Sequence, residues 1–274
     1  MAARGVTHRF SRRSLLAAAG GTVATLLLPG CGSTAASADT TSTAGSTATA
    51  TATATTAAQS PLAGTAFYVD PASDAAVQVQ EWLAAGNTAD AAQLQPVAGT
   101  PVATWFSGQH ADPGAAAAEL TAAATAAGQV AVIVAYDVPG RDAGSYSAGG
   151  AADADTYLAW VGAIGAGIGD AEAVVILEPD AIAHALDGSN TSLTAAECYA
   201  LLSSAVDVLK QQPNVLVYVD AGNSDWVVDT SALATALLAS GVRRADGFAL
   251  NVSNYQTTED SLAYGEELSD LLGG

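Results

Sequence analysis

Between residues 128 and 186 the chain runs strand, loop, helix, strand, and both strands end in acids. Val130-Ala-Val-Ile-Val-Ala-Tyr136 is an apolar strand signal. It breaks into a Gly- and Ser-rich loop, Asp137-Val-Pro-Gly-Arg-Asp-Ala-Gly-Ser-Tyr-Ser-Ala-Gly-Gly150. A helix-patterned segment follows, and then Ala173-Val-Val-Ile-Leu177 ends directly in Glu178-Pro179-Asp180. Two acidic loops therefore leave the C-terminal ends of successive strands in a βαβ pattern. In parallel α/β proteins that is the edge where chemistry is done.

The same alternation continues on both sides. Strand-like runs cover residues 66–69, 102–106, 130–136, 174–177, 215–219 and 247–250. Helical patterns cover 75–85, 113–127, 152–165, 192–211, 230–240 and 258–272. Six short β-rich runs alternating with helices predict an α/β fold, a parallel sheet or barrel with right-handed crossovers. Thr191-Ser-Leu-Thr-Ala-Ala-Glu197 supplies a capped helix start, because a side-chain oxygen can satisfy the first free amides. Trp82 and Trp160 fall inside helical patterns and are expected in the core.

The folded domain is expected at 64–274, because what precedes it cannot build a core. Residues 1–31 read as an export signal. Arg4, Arg9, Arg12 and Arg13 form a basic start, and 14–28 is an apolar run short for a membrane span. Ser11-Arg12-Arg13-Ser14-Leu15-Leu16 matches the twin-arginine pattern. Leu28-Pro29-Gly30-Cys31 resembles a bacterial lipobox, with Cys31 as the lipidated residue and anchor to the outer face of the cell membrane. A plain secretory signal with an incidental cysteine is the alternative. Residues 32–63, nearly all Ser, Thr, Ala and Gly, read as a tether.

Beyond the signal, Arg141, Lys210, Arg243 and Arg244 face all 27 acids, so the remaining charge is 4 − 27 = −23. Such a surface argues against nucleic acid or anionic membrane as a partner, and no protein partner is evident. Cys198 is the one cysteine besides Cys31, which leaves no disulfide or cysteine metal site, and His110 and His184 are too isolated for a metal cluster. No cofactor is called for.

The strand ends carry the chemistry. They read Tyr68-Val-Asp70-Pro71, Trp105-Phe106, Tyr136-Asp137, Glu178-Pro-Asp180, Asp220-Ala-Gly-Asn223 and Asn251-Val-Ser-Asn-Tyr255. Each alone could be an ordinary turn. Six at one edge point instead to a carbohydrate cleft, where flat rings stack on sugar faces and polar groups bind hydroxyls. Carboxylates alone can then cleave a glycosidic bond.

Phe67-Tyr-Val-Asp-Pro71, Ala103-Thr-Trp-Phe106, Tyr136-Asp-Val-Pro-Gly-Arg-Asp142, Val175-Ile-Leu-Glu-Pro-Asp180, Tyr218-Val-Asp-Ala-Gly222 with Trp226, and Ala249-Leu-Asn-Val-Ser-Asn-Tyr255 together resemble glycoside hydrolase family 6, the inverting cellulases. The resemblance covers 64–274 and implies a distorted parallel β/α barrel acting on β-1,4-glucan. It implies Asp180 as general acid and Asp142 as the carboxylate that raises its pKa. It also implies Arg141 as a loop-orienting and substrate-side residue, with Tyr136, Trp105, Asp220, Trp226 and Asn251 on the substrate. Aligned without a gap, the family's water-holding serine falls on Ala148, which makes its neighbour Ser147 the candidate. Asn223 stands where many relatives carry histidine, and Ala143 where many carry a disulfide cysteine.

The family continues into an Asp-Thr-Ser-Arg-Asn-Gly motif and a Lys-x-Pro-Gly-Glu-x-Asp motif whose aspartate is the proposed base, and neither is present here. The expectation is a catalytic domain with about six strands, shortened at its C-terminus and weakly active. A tethered glucan-binding lipoprotein without turnover is the alternative reading.

Overall fold

A computed structural model describes residues 61–273. The signal, Cys31 and nearly all of the tether lie outside the described residues. The apolar runs pair as expected into a parallel sheet of five strands: β1 (Thr104–Phe106), β2 (Ala131–Ala135), β3 (Ala173–Leu177), β4 (Val215–Asp220) and β5 (Gly247–Ala249). Their spatial order is β1-β2-β3-β4-β5, so each strand is hydrogen-bonded to its neighbours in sequence. Ile133, Val175 and Val217 share one row of the register, and Val134, Ile176 and Tyr218 the next.

Helices α1 (Asp74–Ala84) and α2 (Thr88–Ala98) precede β1, α3 (Pro113–Ala126), α4 (Ala154–Ile168), α5 (Ala181–Asp187), α6 (Ala195–Leu209) and α7 (Thr230–Ala239) lie between the strands, and α8 (Thr258–Leu272) follows β5. Ile133, Val175, Val217 and Val219 are fully buried in one core with Val161, Ile164, Leu202, Leu209, Leu233, Leu237 and Leu268 from the helices. On the other sheet face Val132, Ile176, Leu216 and Tyr218 are only half-buried, as on the inner side of a barrel wall. Helix starts follow the capping chemistry. Asp112, Asp153 and Asp229 each accept an N–H of the first turn, and Thr194 with Glu197 closes a full capping box.

Three elements differ from expectation. The run at 66–69 forms only a single parallel bridge, Phe67 to Val130. The Val69 N–H turns to the Gln129 side chain (3.2 Å), and the Asp70 carboxylate then caps Ala72 N–H (2.8 Å), which bends the chain away. Helix α2 is additional. Its Gly86-Asn87 entry and internal Pro96 read as loop signals, yet Ala91 and Ala98 pack on Val79 of α1, with Trp82 beside them. Helix α5 is also additional, and its seven residues are too short to show a period.

Candidate active site

Glu178-Pro179-Asp180 must turn from β3 into α5 within three residues, and it does so with left-handed backbone at Glu178 (φ 51°) and Asp180 (φ 71°). The other non-glycine residues with positive φ among those described are Asp142 (59°), Ala143 (45°) and Asn251 (59°). All five lie in loops leaving the C-terminal ends of β2, β3 and β5. Each such residue costs on the order of 1–3 kcal/mol, and strain gathered at one edge marks a functional site.

Glu178 anchors the first loop. Fully buried, it accepts the Asp137 N–H on both carboxyl oxygens (2.9 and 3.1 Å) and the Val138 N–H at 3.0 Å. Burial pushes its pKa up to about 8, against the pull of those backbone bonds. The hydroxyl of Tyr157 faces the same carboxyl from α4 without a hydrogen-bond partner of its own.

Arg141 then closes loop 137–150 on itself. Nη1 lies 2.7 Å from Ser107 O, 2.8 Å from Tyr136 O and 3.1 Å from Asp137 Oδ1, while Nε donates to Ser147 O at 2.8 Å. The guanidinium also stands 5.1 Å over the Tyr136 ring. Nε and Nη1 thus tie the loop to itself and to the residue that follows β1. At the loop's end a Cβ on Gly150 (φ 99°) would lie 2.0 Å from Val138 O, so only glycine permits this closure.

The loops converge on a cavity of about 320 Å³ lined by Trp105, Tyr136, Asp142, Ser147, Asp180, Val252, Ser253, Asn254 and Tyr255. Five sequence-predicted residues meet here: Trp105, Tyr136, Asp142, Ser147 and Asp180. Trp105 packs edge-on to Tyr136 at 5.5 Å. Asp142 accepts the Ser147 N–H and so fixes the floor of the loop. Asp180 is 7% exposed, and its pKa is raised, first by burial and further by Asp142, against the Ser253 hydroxyl and His184, which pull it down. Burial is thus a larger cause than the paired carboxylate. The Tyr136 hydroxyl is pushed upward by burial and by the charges of Asp180 and Asp142, so it stays neutral.

The other predicted residues stand around this cavity. Asp220 is buried behind it, where Oδ2 accepts the N–H of Asp180 and of Gly222, both at 3.0 Å. Burial, then Asp180, pushes its pKa up to about 7. Trp226 lies in an adjoining groove of about 490 Å³ with Asn223, Asp225, Asn254, Tyr255 and Gln256, its ring 4.9 Å from His184. Asn254 and Tyr255 line both spaces, which makes one continuous cleft. Asn251 spends its amide inside its own loop, donating to Gln256 O (3.0 Å) and Ser261 Oγ (2.7 Å) and accepting Gln256 N–H (3.1 Å).

Sequence reasoning did not single out Ser253, whose hydroxyl donates to Asp180 Oδ1, nor Asn254 and Tyr255. Their signal was the Asn-Val-Ser-Asn-Tyr run following β5 at this same edge. Cys31 falls outside the described residues.

This arrangement agrees with what the chain is similar to. It is 40% identical over 210 residues to Endoglucanase 1 of Streptomyces halstedii, covering 75% of this chain and 63% of that protein. It is 41% identical over 218 residues to Endoglucanase A of Cellulomonas fimi, covering 78% of this chain and 45% of that protein. The chain thus spans between about half and two thirds of the length of these relatives. Among solved structures, the endoglucanase Cel6 from Mycobacterium tuberculosis, in complex with methyl-cellobiosyl-4-deoxy-4-thio-β-D-cellobioside, superposes with a TM-score of 0.69 at 42% identity, over 78% of this chain and 71% of that one. The family model for glycosyl hydrolases family 6 matches residues 62–273, and the chain belongs to that family.

Proposed function

We propose that this protein hydrolyses β-1,4-glucosidic bonds in cellulose or a related β-glucan, with inversion and without a cofactor. The observation that carries the reading is the convergence of Asp180, Asp142, Tyr136, Trp105 and Ser147 on one cavity. Asp180 is the general acid. Its raised pKa keeps a proton available for the leaving glycosidic oxygen, and Asp142 adds to that rise. Trp105 and Trp226 offer rings to successive sugar faces along the cleft. Tyr136, a neutral phenol against both acids, supports the sugar at the cleavage point. Ser147 borders the space for the attacking water, which in an inverting site enters on the face opposite the acid. The endoglucanase relatives favour internal cleavage of the polymer.

The test is release of reducing ends from a soluble β-glucan, with the first-formed anomer read by proton NMR. Turnover giving the inverted anomer, and a loss of 10²-fold or more in Asp180→Ala, is the expected result. Retained configuration, or full activity without the Asp180 carboxyl, overturns it. We further propose export by the twin-arginine route and lipidation at Cys31, supported by the arginine pair and the lipobox-like run. Fatty-acid labelling of the expressed protein, expected to vanish in Cys31→Ser, checks the anchor. Labelling that persists in that variant removes it.

A further inference from the structure

The loop after β5 is tied to itself before it touches anything else. Asn251, in left-handed backbone, holds both the N–H and the C=O of Gln256 with one side-chain amide, so loop 251–256 forms a closed clip. A third bond, from Asn251 Nδ2 to Ser261 Oγ at 2.7 Å, fastens the clip to α8. Its crest presents Ser253 to the cavity. The Ser253 Oγ accepts a hydrogen bond from Asn254 Nδ2 at 3.1 Å. An amide nitrogen can only donate, so the serine's own hydrogen is left to point at Asp180 Oδ1, and it does. The Asp180 backbone is fixed from the other side, its N–H held by Asp220.

We propose that Ser253 is the positioning residue for the Asp180 proton donor, and that its hydroxyl selects which carboxyl oxygen carries the proton. Oδ1 accepts from Ser253, so the acid's proton resides on Oδ2, which has no hydrogen-bond partner among the described residues. In the reaction the Oδ2–H bond breaks as the proton passes to the glycosidic oxygen, and the resulting carboxylate keeps the Ser253 bond. That bond is stronger to the charged product form than to the neutral acid, so it helps the proton leave. The inference rests on the reading of Asp180 as general acid. The other groups acting on Asp180 are Asp142 from the β2 loop, His184 on α5, Asp220 at the end of β4, and the neutral Tyr136. Ser253 differs from all of these, because it is uncharged and titrates nowhere in the working range. Its removal therefore alters the Asp180 proton without adding or deleting a charge.

The experiment compares the full chain, Ser253→Ala and Ser253→Thr, with Asp180→Asn used to assign the Asp180 resonance. Carbon-13 NMR of the labelled aspartate carboxyls follows the Asp180 titration directly. The pH profile of kcat/KM on a soluble β-glucan follows its use. Loss of the hydroxyl removes an interaction that favours the ionised form, so in Ser253→Ala Asp180 titrates at higher pH, and the alkaline limb of the profile moves up with it. The activity at the optimum falls by about tenfold or more, since a misplaced acid costs on that scale. Ser253→Thr, which keeps the hydroxyl, returns both the titration and the limb toward wild type. An unchanged Asp180 titration in Ser253→Ala, or a threonine variant that behaves like alanine in a folded protein, overturns the proposal. Absence of wild-type turnover would instead defeat the catalytic reading, and the NMR titration would still decide whether Ser253 controls the Asp180 proton.

Discussion

Asp220 shows how far burial can carry a carboxyl from its ordinary state. Its Oδ2 is used twice, by the N–H groups of Asp180 and Gly222, and one neutral oxygen acceptor serves both. The ordinary value of 3.8 rises to about 7 in the folded protein, so the native state holds this proton where the unfolded chain has released it. The sign follows: the stability that Asp220 contributes is complete below 3.8 and is lost as pH rises through about 7. In Asp220→Asn the side-chain oxygen accepts the same two N–H groups and nothing titrates. Melting temperatures measured across this window are expected to favour the variant increasingly as pH rises, by a few kcal/mol at the upper end, with a constant difference beyond. A pH-independent difference between the two proteins would mean that Asp220 is ionised throughout. Glu178 follows the same rule with a window reaching about 8.

Helices α3 and α4 meet through glycine. A Cβ on Gly167 would stand 2.1 Å from Gly114 O, and one on Gly114 would stand 2.9 Å from Ala163 O. Gly167→Ala must therefore push α4 off α3 while Val161, Ile164 and Ile168 of the same helix hold it to the sheet. The expected cost is about 1–3 kcal/mol, seen as an earlier denaturation midpoint. Turnover per folded molecule should be unchanged, because neither helix lines the cleft. Equal midpoints would show that the two helices separate without strain. Elements that bury a continuous apolar stripe were readable from the chain, as with β2, β3, α4 and α6. Those held by something else were not. Helix α2 shows no period because alanine supplies its contacts, and 66–69 is kept from pairing by the turn at Asp70. The site divided in the same way. Asp142, Asp180 and Tyr136 were legible because loop chemistry at a strand end is local. The Ser253 contact spans 73 residues and depends on the β4–β5 register, which no local pattern encodes. Asp220 and Asn251 were legible as strand-end polar groups, while the backbone bonds that occupy them were not.

At the scale of the molecule, charge and chain order govern behaviour. Three of the four basic residues in the described region pair with acids: Arg141 with Asp137, Lys210 with Asp246 and Arg244 with Asp207. Most of the acids in the described region therefore have no basic side chain to pair with. Exposed pairs such as Arg244–Asp207 contribute about 0–1 kcal/mol each, too little to offset repulsion among so many carboxylates. Shortening the screening length from about 10 Å at 0.1 M salt to about 3 Å at 1 M should accordingly raise the melting temperature near neutral pH. A melting temperature that falls with sodium chloride would instead put the weight on the three ion pairs. The sheet, meanwhile, is laid down in the order of translation, each strand docking on the one made just before it. Asp180 leaves the ribosome 73 residues ahead of the serine that holds it, an interval of about 4–15 s at usual elongation rates. During that interval a growing chain can assemble β1 to β3 and their covering helices while the donor carboxyl has no partner. The poised acid thus matures only once the β5 loop has been made, and not with the loop that bears it.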